Sequence, residues 1–312
     1  MIEFLSIEMN FSCIFRLLVE WIWWLILFAL LFTFACHYCV NYSNLGAQRS
    51  ESGALATFLN DALSYGKTKV GNDFALFLNV PKRYFQHFYF WGTFWNFGLT
   101  FAYFVIPTTS RSARAKCEFF NENRVVLFYL CLYQLHLTRR LYECLNVSIF
   151  GKESRMHVFQ YVFGLTFYTF VPLTLIAFAE RHDGRSFDFS ISSALPVLLF
   201  FFGNYKQFRL HSILAKLRTN ARGQERRRYF IPKSDWFEYV SSPHYLAEII
   251  IYGSLFAGLR DQYSSNQAWI SMILVIIVNL GFSAIQTHRW YKAKFDESYK
   301  KLNRRALIPF VL

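Results

Sequence analysis

Seven long apolar segments constrain the fold of this chain more than any other feature. They lie at about residues 19–40, 86–107, 124–149, 156–179, 190–214, 243–260 and 268–288. Each approaches the roughly 20 residues that a helix needs to cross the hydrocarbon core of a bilayer. Of the 312 residues, 54% are hydrophobic and 37 are Phe. The core of a water-soluble domain of this length rarely needs so many Phe residues. We therefore predict an all-α, polytopic membrane protein with about seven transmembrane helices.

The first apolar segment, WIWWLILFALLFTFACHYCV, is longer and more aromatic than the apolar part of a secretory signal peptide. No small-x-small cleavage site follows it. We therefore expect this segment to be retained in the membrane as a signal anchor.

The basic residues are distributed unevenly between the segments. The loops after the first, third and fifth segments and the tail after the seventh hold about five, two, seven and seven of the 33 Lys and Arg residues. The N-terminus and the other three loops hold about eight together. Because basic loops stay in the cytosol, we predict a cytosolic C-terminus and a lumenal N-terminus. The net charge of +13 is then explained mainly by the basic residues that orient the chain in the membrane. We therefore expect no nucleic-acid partner.

Polar residues interrupt three apolar segments near their predicted cytosolic ends. A charged side chain in a membrane span costs about 2.5–3.5 kcal/mol on insertion scales, so it usually faces a cavity or a partner. The third segment holds His136, Arg139, Arg140 and Glu143. Taken alone, these residues also fit an ion-paired helix end whose arginines reach out to the membrane surface.

The fifth and sixth segments each carry a polar pair at i, i+4 spacing, which places both members on one helix face. The pairs are Gln207 with His211 and His244 with Glu248, and Arg218 follows two turns after His211. Together with the third segment, they predict a pocket for a large anionic ligand that enters from the cytosol. Phosphate groups are bound well by basic side chains. The candidates are Arg218, Arg222, Arg226, Arg227, Arg228, Lys292, Lys294, Arg304 and Arg305.

Two other classes of function have little support in the sequence. Cys36 and Cys39 have CxxC spacing, but no second pair completes a zinc site, so we predict no metal site. A lipid transporter, the non-enzyme alternative, would be expected to show inverted hydropathy repeats, and we find none.

Four C-terminal motifs resemble those of the steroid 5α-reductase family. They are YFIP at 229–232, WFEYVSSPHYLAE at 236–248, HRWY at 288–291 and RRALIPF at 304–310. The resemblance implies a seven-helix, multi-pass enzyme of the endoplasmic reticulum membrane that uses NADPH as hydride donor. It covers about residues 61–312, with the cofactor-binding part at about 156–312, and leaves 1–60 as the anchor and a poorly matched segment. The implied cofactor contacts are Gln207, His211, Arg218, Tyr229, His244, Glu248, Tyr291 and Arg304.

Four further motifs resemble the dolichol-forming branch of this family. They are YGKTK at 65–69, VPKRYFQHFY at 80–89, RRLYECL at 139–145 and QYVFGL at 160–165. They imply a polyprenyl lipid substrate, polyprenal or polyprenol, whose α-isoprene double bond is saturated to supply dolichol for protein N-glycosylation. Functional coupling to a polyprenol or dolichal dehydrogenase is implied as well.

Three positions depart from the steroid-reducing members of the family. Leu137 stands where those members have a Tyr that polarises the substrate carbonyl, and Thr287 replaces a common His. Phe230 replaces an Arg that contacts the cofactor, and Arg228 is the candidate substitute. The steroid-type carbonyl contacts therefore do not transfer to this chain.

The chemistry favours an aldehyde as the immediate substrate. Hydride adds to a carbon–carbon double bond only when the developing negative charge is delocalised, and an allylic alcohol offers no such sink. In the enal polyprenal, the carbonyl oxygen takes the charge. A donor must hold that oxygen, and an acid must protonate Cα. We expect His87 or Tyr89 to supply the donor. These two residues form a cluster with Lys82 and Arg83 at the second apolar segment. The alternative interpretation of this cluster is a basic–aromatic belt at the membrane interface.

Three rival enzymes remain open at this stage. They are a steroid 4-ene reductase, a trans-2-enoyl thioester reductase and a methyltransferase of prenylated cysteine. The methyltransferase can be distinguished from the reductases by its cofactor, because only a reductase transfers hydride from NADPH.

Overall fold

Long helices make up almost all of the fold. The structure, a computed structural model, describes residues 11–46, 78–109, 124–151, 154–177, 191–219, 229–262, 267–309 and 311. Within these ranges the helices are α1 Phe11–Gly46, α2 Phe85–Thr109, α3 Arg124–Tyr142, α4 Val158–Ala177, α5 Ile191–Thr219, α6 Pro243–Leu259, α7 Gln267–Phe295 and the short α8 Glu297–Lys300. Helices α1 to α7 coincide with the seven predicted apolar segments, so the all-helical prediction is confirmed.

Three of these helices are long and apolar enough to cross a membrane by length and composition. The apolar stretches are Ile14–Cys39 in α1, Val158–Ala177 in α4 and Gln267–Phe295 in α7. The count of about seven spans therefore remains a prediction. Large apolar side chains on the outside of the bundle, such as Phe28 and Phe94, have about 74% and 69% of their surface exposed. Exposure of this kind is expected for a surface that meets lipid.

Short elements begin or end the helices on the predicted cytosolic side. Strands β1 Asn79–Pro81 and β2 Arg155–His157 pair antiparallel, with Asn79 opposite His157. This pairing joins the chain just before α2 to the chain just before α4. Helix α3 ends in a π-helical turn, Glu143–Val147. Turns of 3₁₀ helix occupy Lys82–Tyr84 and Asp235–Glu238 on this side, and a third turn, Arg260–Gln262, follows α6 at its predicted lumenal end.

Helices α5 and α6 approach each other closely at Gly203. A Cβ atom added there would lie 2.8 Å from Cγ1 of Ile251, so only glycine permits this spacing without a shift of the neighbour. Helix α1 packs on α7, and α2 packs on α3 and α4. The Trp23 indole N–H of α1 donates a 2.8 Å hydrogen bond to the Thr174 hydroxyl of α4. This bond satisfies a buried polar group inside the apolar bundle.

Backbone hydrogen bonds tie the C-terminal segment to the chain before α6. Ser241 N donates to Arg305 O at 2.8 Å, Arg305 N to Tyr239 O at 3.0 Å, and Ser242 N to Ala306 O at 3.2 Å. We call these three bonds the C-terminal bridge. The Ser241 hydroxyl also lies 2.6 Å from Tyr299 Oη, inside the same joint. The start of α6 is thus positioned by residues that follow it by more than 60 positions.

Candidate active site

A buried ion pair at the end of α3 forms the centre of the candidate site. Arg140 donates to Glu143 through its NH1 group, and Glu143 is completely buried. The same guanidinium donates to the Tyr89 hydroxyl on α2, from Nε at 3.1 Å and from NH2 at 2.8 Å. The π-helical turn begins at Glu143, where it changes the direction of the side chains that follow. Helices α2 and α3 are therefore joined by a charge-assisted contact that is almost fully buried.

Arg139 links the same carboxylate to α5. Its NH1 group donates to Glu143, its NH2 group donates to the side-chain oxygen of Gln207, and its Nε donates to Asn204 Oδ1 at 2.9 Å. His136 Nδ1 lies 3.0 Å from the same Asn204 oxygen. Both arginines thus turn into the bundle. The alternative in which they reach out to the membrane surface is wrong.

The two polar pairs predicted on α5 and α6 come together at this centre. The Gln207 amide donates to Glu248, whose other oxygen lies 3.9 Å from His136 Nε2. His211 Nδ1 lies 2.7 Å from Glu143 Oε2, and the His211 and His244 rings are 5.4 Å apart. Four helices therefore contribute to one network. We call it the polar cluster: Tyr89, His136, Arg139, Arg140, Glu143, Asn204, Gln207, His211, His244 and Glu248.

The polar cluster balances its permanent charges within a buried volume. Two guanidinium groups, on Arg139 and Arg140, face two carboxyl groups, on Glu143 and Glu248. Removing charges from water is unfavourable unless each is paired and hydrogen-bonded. A network of this size is therefore an expensive feature of an apolar bundle, which makes it the candidate site for a polar ligand.

The other predicted cofactor residues form a second group beside the C-terminal bridge. Tyr229 packs against Trp290 with ring centroids 4.9 Å apart, and Tyr291 stacks on Tyr299 at 5.1 Å. Tyr291 is within electrostatic range of Arg218, Arg304 and Tyr229. Arg218 itself donates to the Ile149 carbonyl at the end of the π-helical turn. We call Arg218, Tyr229, Tyr291 and Arg304 the aromatic–arginine group.

Arg304 has a structural contact that the sequence did not suggest. Its side chain is buried, and NH1 donates to the Pro232 carbonyl at 2.6 Å while NH2 donates to Glu238 at 3.2 Å. The same loop is attached to α5 by Asp235, which pairs with Lys206 at 2.9 Å and Arg209 at 2.8 Å. Although burial alone raises it, the hydrogen bond from Lys206 holds the pKa of Asp235 below its usual value. The loop that carries the YFIP motif is therefore held from both sides.

The two predicted donors on α2, His87 and Tyr89, do not lie together. Tyr89 belongs to the polar cluster, whereas His87 Nδ1 lies 3.0 Å from the Tyr161 hydroxyl and its ring stacks on Tyr84. His87 also borders an apolar groove of about 580 Å³ between α2 and α4. The groove is lined by His87, Phe90, Trp91, Val162, Leu165, Thr166, Thr169 and Phe170. The predicted second-segment cluster is thus divided, with Tyr89 inside the site and His87 outside it.

The donors and charges present fit a nicotinamide dinucleotide phosphate. Gln207 and Glu248 offer both donor and acceptor atoms, the combination that a carboxamide requires. Toward the predicted cytosolic ends of the helices, burial and then the nearby Arg218 lower the pKa of Lys82 to about 7. A phosphate beside Lys82 would favour the charged form of its amine. The basic candidates at 222 and 226–228 lie outside the described residues.

The three departures from the steroid-reducing pattern have different surroundings. Leu137 is fully buried and faces α2, where a Cβ on Gly92 would lie 3.2 Å from its Cδ2 atom. Thr287 is buried in α7, and Phe230 is 39% exposed on the loop before α6. Arg228 and the YGKTK motif at 65–69 lie outside the described residues. Leu137 therefore presents only hydrocarbon at the position of the missing tyrosine.

Asn204 of the polar cluster and three tyrosines beside the cluster were not singled out by the sequence. Asn204 precedes Gln207 by three positions on α5, and Tyr252 follows Glu248 by four on α6. Tyr133 precedes His136 by three on α3, and Tyr168 of α4 has its ring centroid 5.1 Å from that of Tyr89. Helical spacing from the known polar positions could have identified the first three. No local signal points to Tyr168.

Comparison with known proteins gives two kinds of match. The profile of the family described as 3-oxo-5-alpha-steroid 4-dehydrogenase matches residues 154–312. The polyprenal reductase of Homo sapiens is 33% identical over 277 residues, which are 80% of this chain and 85% of that protein. That of Xenopus tropicalis is 32% identical over 289 residues, 84% and 91% of the two chains. That of Ailuropoda melanoleuca is 34% identical over 278 residues, 80% and 85% of the two chains.

Proposed function

The chain belongs to the steroid 5α-reductase family, and from this premise we propose that it is an NADPH-dependent polyprenal reductase. It would saturate the α-isoprene double bond of polyprenal, a step in the net conversion of polyprenol to dolichol for protein N-glycosylation. The observation that carries the proposal is the polar cluster, in which four helices place paired charges in an otherwise apolar bundle. A lipid that brings one polar end group into such a bundle fits this arrangement.

NADPH, when bound, supplies a hydride to Cβ of the enal. Gln207, His211, His244 and Glu248 would hold its nicotinamide end, because they lie farther into the helical bundle than the aromatic–arginine group. The aromatic–arginine group, at the cytosolic ends of α5 and α7, would hold the phosphates and the adenosine. This division follows from depth: hydride must reach a lipid between the helices, whereas the phosphates remain near water.

The reaction requires the chain to supply one proton and to stabilise one negative charge. As the new C–H bond forms at Cβ, the double-bond electrons shift toward the carbonyl and the oxygen becomes an enolate oxygen. A proton then adds at Cα, so that one proton is consumed for each saturated aldehyde formed. Tyr89 is the proton donor that we propose. Arg140 donates two hydrogen bonds to the Tyr89 hydroxyl oxygen, so the hydrogen of that hydroxyl points away from Arg140. The same two bonds would stabilise the tyrosinate that remains after the proton is transferred.

The substrate assay is the direct test of this function. Purified full-length protein is given NADPH with polyprenal, polyprenol, a steroid 4-ene-3-one or a trans-2-enoyl thioester, free of other dehydrogenases. We expect saturated product from polyprenal and none from polyprenol, which has no electron sink. Conversion of polyprenol at the rate of polyprenal would overturn the proposal. Preference for the steroid or the thioester would favour those rival reductases.

Two α2 variants separate the roles of the candidate donors in the same assay. Tyr89→Phe is expected to lower turnover by about 100-fold or more, within the range for loss of a general acid. His87→Ala is the matched variant, and we expect near-normal turnover because His87 lies outside the polar cluster. Normal turnover of Tyr89→Phe would remove Tyr89 from the mechanism and leave the reaction intact.

We also propose an endoplasmic reticulum location with about seven spans, an N-terminal anchor within 1–60 and the reductase part at 61–312. The asymmetry of basic residues supports a cytosolic C-terminus and a cytosolic 216–235 loop. An N-glycosylation sequon inserted in that loop should stay unmodified in cells, whereas one inserted in the loop between α6 and α7 should be glycosylated. The reverse pattern would contradict the orientation. An aldehyde substrate would also couple the enzyme to a polyprenol or dolichal dehydrogenase.

A further inference from the structure

Four tyrosines form a layer beside the polar cluster. They come from four helices: Tyr89 from α2, Tyr133 from α3, Tyr168 from α4 and Tyr252 from α6. All are buried, with between 0% and 6% of their surface exposed. The Tyr89 and Tyr168 ring centroids are 5.1 Å apart, and those of Tyr133 and Tyr252 are 6.2 Å apart. We call these residues the tyrosine layer.

Two hydroxyl groups of the tyrosine layer are buried without a hydrogen bond of ordinary geometry. Among the described residues, no partner atom within the usual distance and angle serves Tyr133 Oη or Tyr252 Oη, although these side chains interact. A buried hydroxyl without a good partner is unfavourable. This chain uses 37 Phe residues, and Phe would fill the same space without that penalty. A bond between the two hydroxyls would use only one of their two hydrogens, so at least one O–H remains to donate to an atom of a ligand.

The surroundings of this pair indicate which atom that is. Tyr252 lies one helical turn beyond Glu248, and the His136 ring lies 5.9 Å from Tyr252 and 6.1 Å from Tyr133. Glu248 is one of the residues that would hold the nicotinamide end of the cofactor. A substrate group that reaches the hydride would thus come within range of both hydroxyls.

Leu137 leaves the carbonyl oxygen of the substrate without a donor from its own position. It is fully buried and packs toward Gly92, and Tyr168 approaches the same face of that glycine. We propose that Tyr133 and Tyr252 donate hydrogen bonds to the aldehyde oxygen of polyprenal and stabilise the enolate as it forms. Tyr89 remains the proton donor for Cα. This inference rests on the proposed function and adds two catalytic residues to it.

The test uses three single variants and one double variant of the full-length protein. Tyr133→Phe and Tyr252→Phe each remove one hydroxyl and leave the ring in place. Tyr129→Phe is the matched control, because Tyr129 is on α3, is 1% exposed and also has no hydrogen-bond partner among the described residues. It packs instead against Gly258, one turn farther from the polar cluster.

We expect each of the two layer variants to lower kcat with polyprenal by about 100-fold, the usual effect of losing one donor to an oxyanion. The Kd for NADPH should stay at the wild-type value because no cofactor contact is lost, and the Tm should not fall because Phe fills the same space without the buried hydroxyl. The double variant should lose more than either single variant. Tyr129→Phe should stay within about twofold of the wild type.

The outcomes separate this inference from the proposed function. If the wild type reduces polyprenal and the double variant does so as well as Tyr129→Phe, the tyrosine pair has no role and the inference fails. An equal loss in Tyr129→Phe, or a fall in Tm that accompanies the loss of kcat, would also overturn it. If the wild type itself does not reduce polyprenal, the proposed function fails first.

Discussion

Arg140→Leu is expected to lower the free energy of unfolding by about 3 kcal/mol, at the lower end of the range for breaking a buried ion pair. The change leaves the fully buried Glu143 with only Arg139 and His211 as partners. It also removes both hydrogen bonds to Tyr89, so turnover should fall by about 100-fold or more even at temperatures where the variant is folded. Thermal unfolding followed by circular dichroism, with the reductase assay in parallel, measures the two effects.

A double variant distinguishes a lost charge pair from a general packing defect. Arg140→Leu combined with Glu143→Gln removes the carboxylate that would otherwise be left undercompensated. We expect this protein to be more stable than Arg140→Leu alone, although turnover stays low because Tyr89 still lacks its guanidinium. Strictly additive losses of stability would contradict coupling between the two residues.

The second large effect concerns the cofactor. Glu248→Gln and His211→Ala should each weaken NADPH binding by about ten- to hundredfold, since a hydrogen bond to a charged group contributes about 1.5–3 kcal/mol. Glu248 accepts the Gln207 amide, and His211 contacts Glu143, so both changes disturb the side of the polar cluster assigned to the nicotinamide. Quenching of protein fluorescence on titration with NADPH gives the affinity. The KM for polyprenal should change far less.

Asp261→Asn is the control for these variants. It makes the same chemical change as Glu248→Gln, but Asp261 is a highly exposed residue at the opposite end of α6, paired only loosely with Arg260. Its NADPH affinity should equal that of the wild type. Unchanged affinity in folded Glu248→Gln and His211→Ala would mean that the polar cluster does not bind the cofactor.

The sequence predicted the helices well because their signal is simple. An apolar run of bilayer length has few structural alternatives to a helix. Each of the seven predicted segments is a helix in the structure, and the central part of each helix matches the predicted segment. Spacing along one helix also placed Gln207 with His211 and His244 with Glu248 on shared faces, and the structure brings all four together. These successes depend on local periodicity, which a single chain reveals directly.

Contacts between helices could not be predicted in the same way. Nothing local indicates that Tyr89 meets Arg140, or that both arginines of α3 turn inward, because each depends on which face a neighbouring helix presents. Sequence reasoning grouped His87 with Tyr89, although residues two positions apart on a helix lie on nearly opposite sides. Tyr89 joins the polar cluster and His87 contacts Tyr161, and the catalytic role of each stays a prediction. Arg304 was predicted as a cofactor contact, yet its burial against Pro232 arises from a tertiary contact 72 positions away.

The C-terminal bridge has a consequence for the order of events during biosynthesis. Tyr239, Ser241 and Ser242 emerge from the ribosome before residues 305 and 306 exist, so the three bonds of the C-terminal bridge cannot form at that time. The apolar helices can insert one after another during translation, whereas the proposed cofactor end of the candidate site is completed only by the last part of the described chain. A nascent protein would thus be anchored in the membrane while still catalytically incomplete, and competence would begin only after synthesis has passed Ala306.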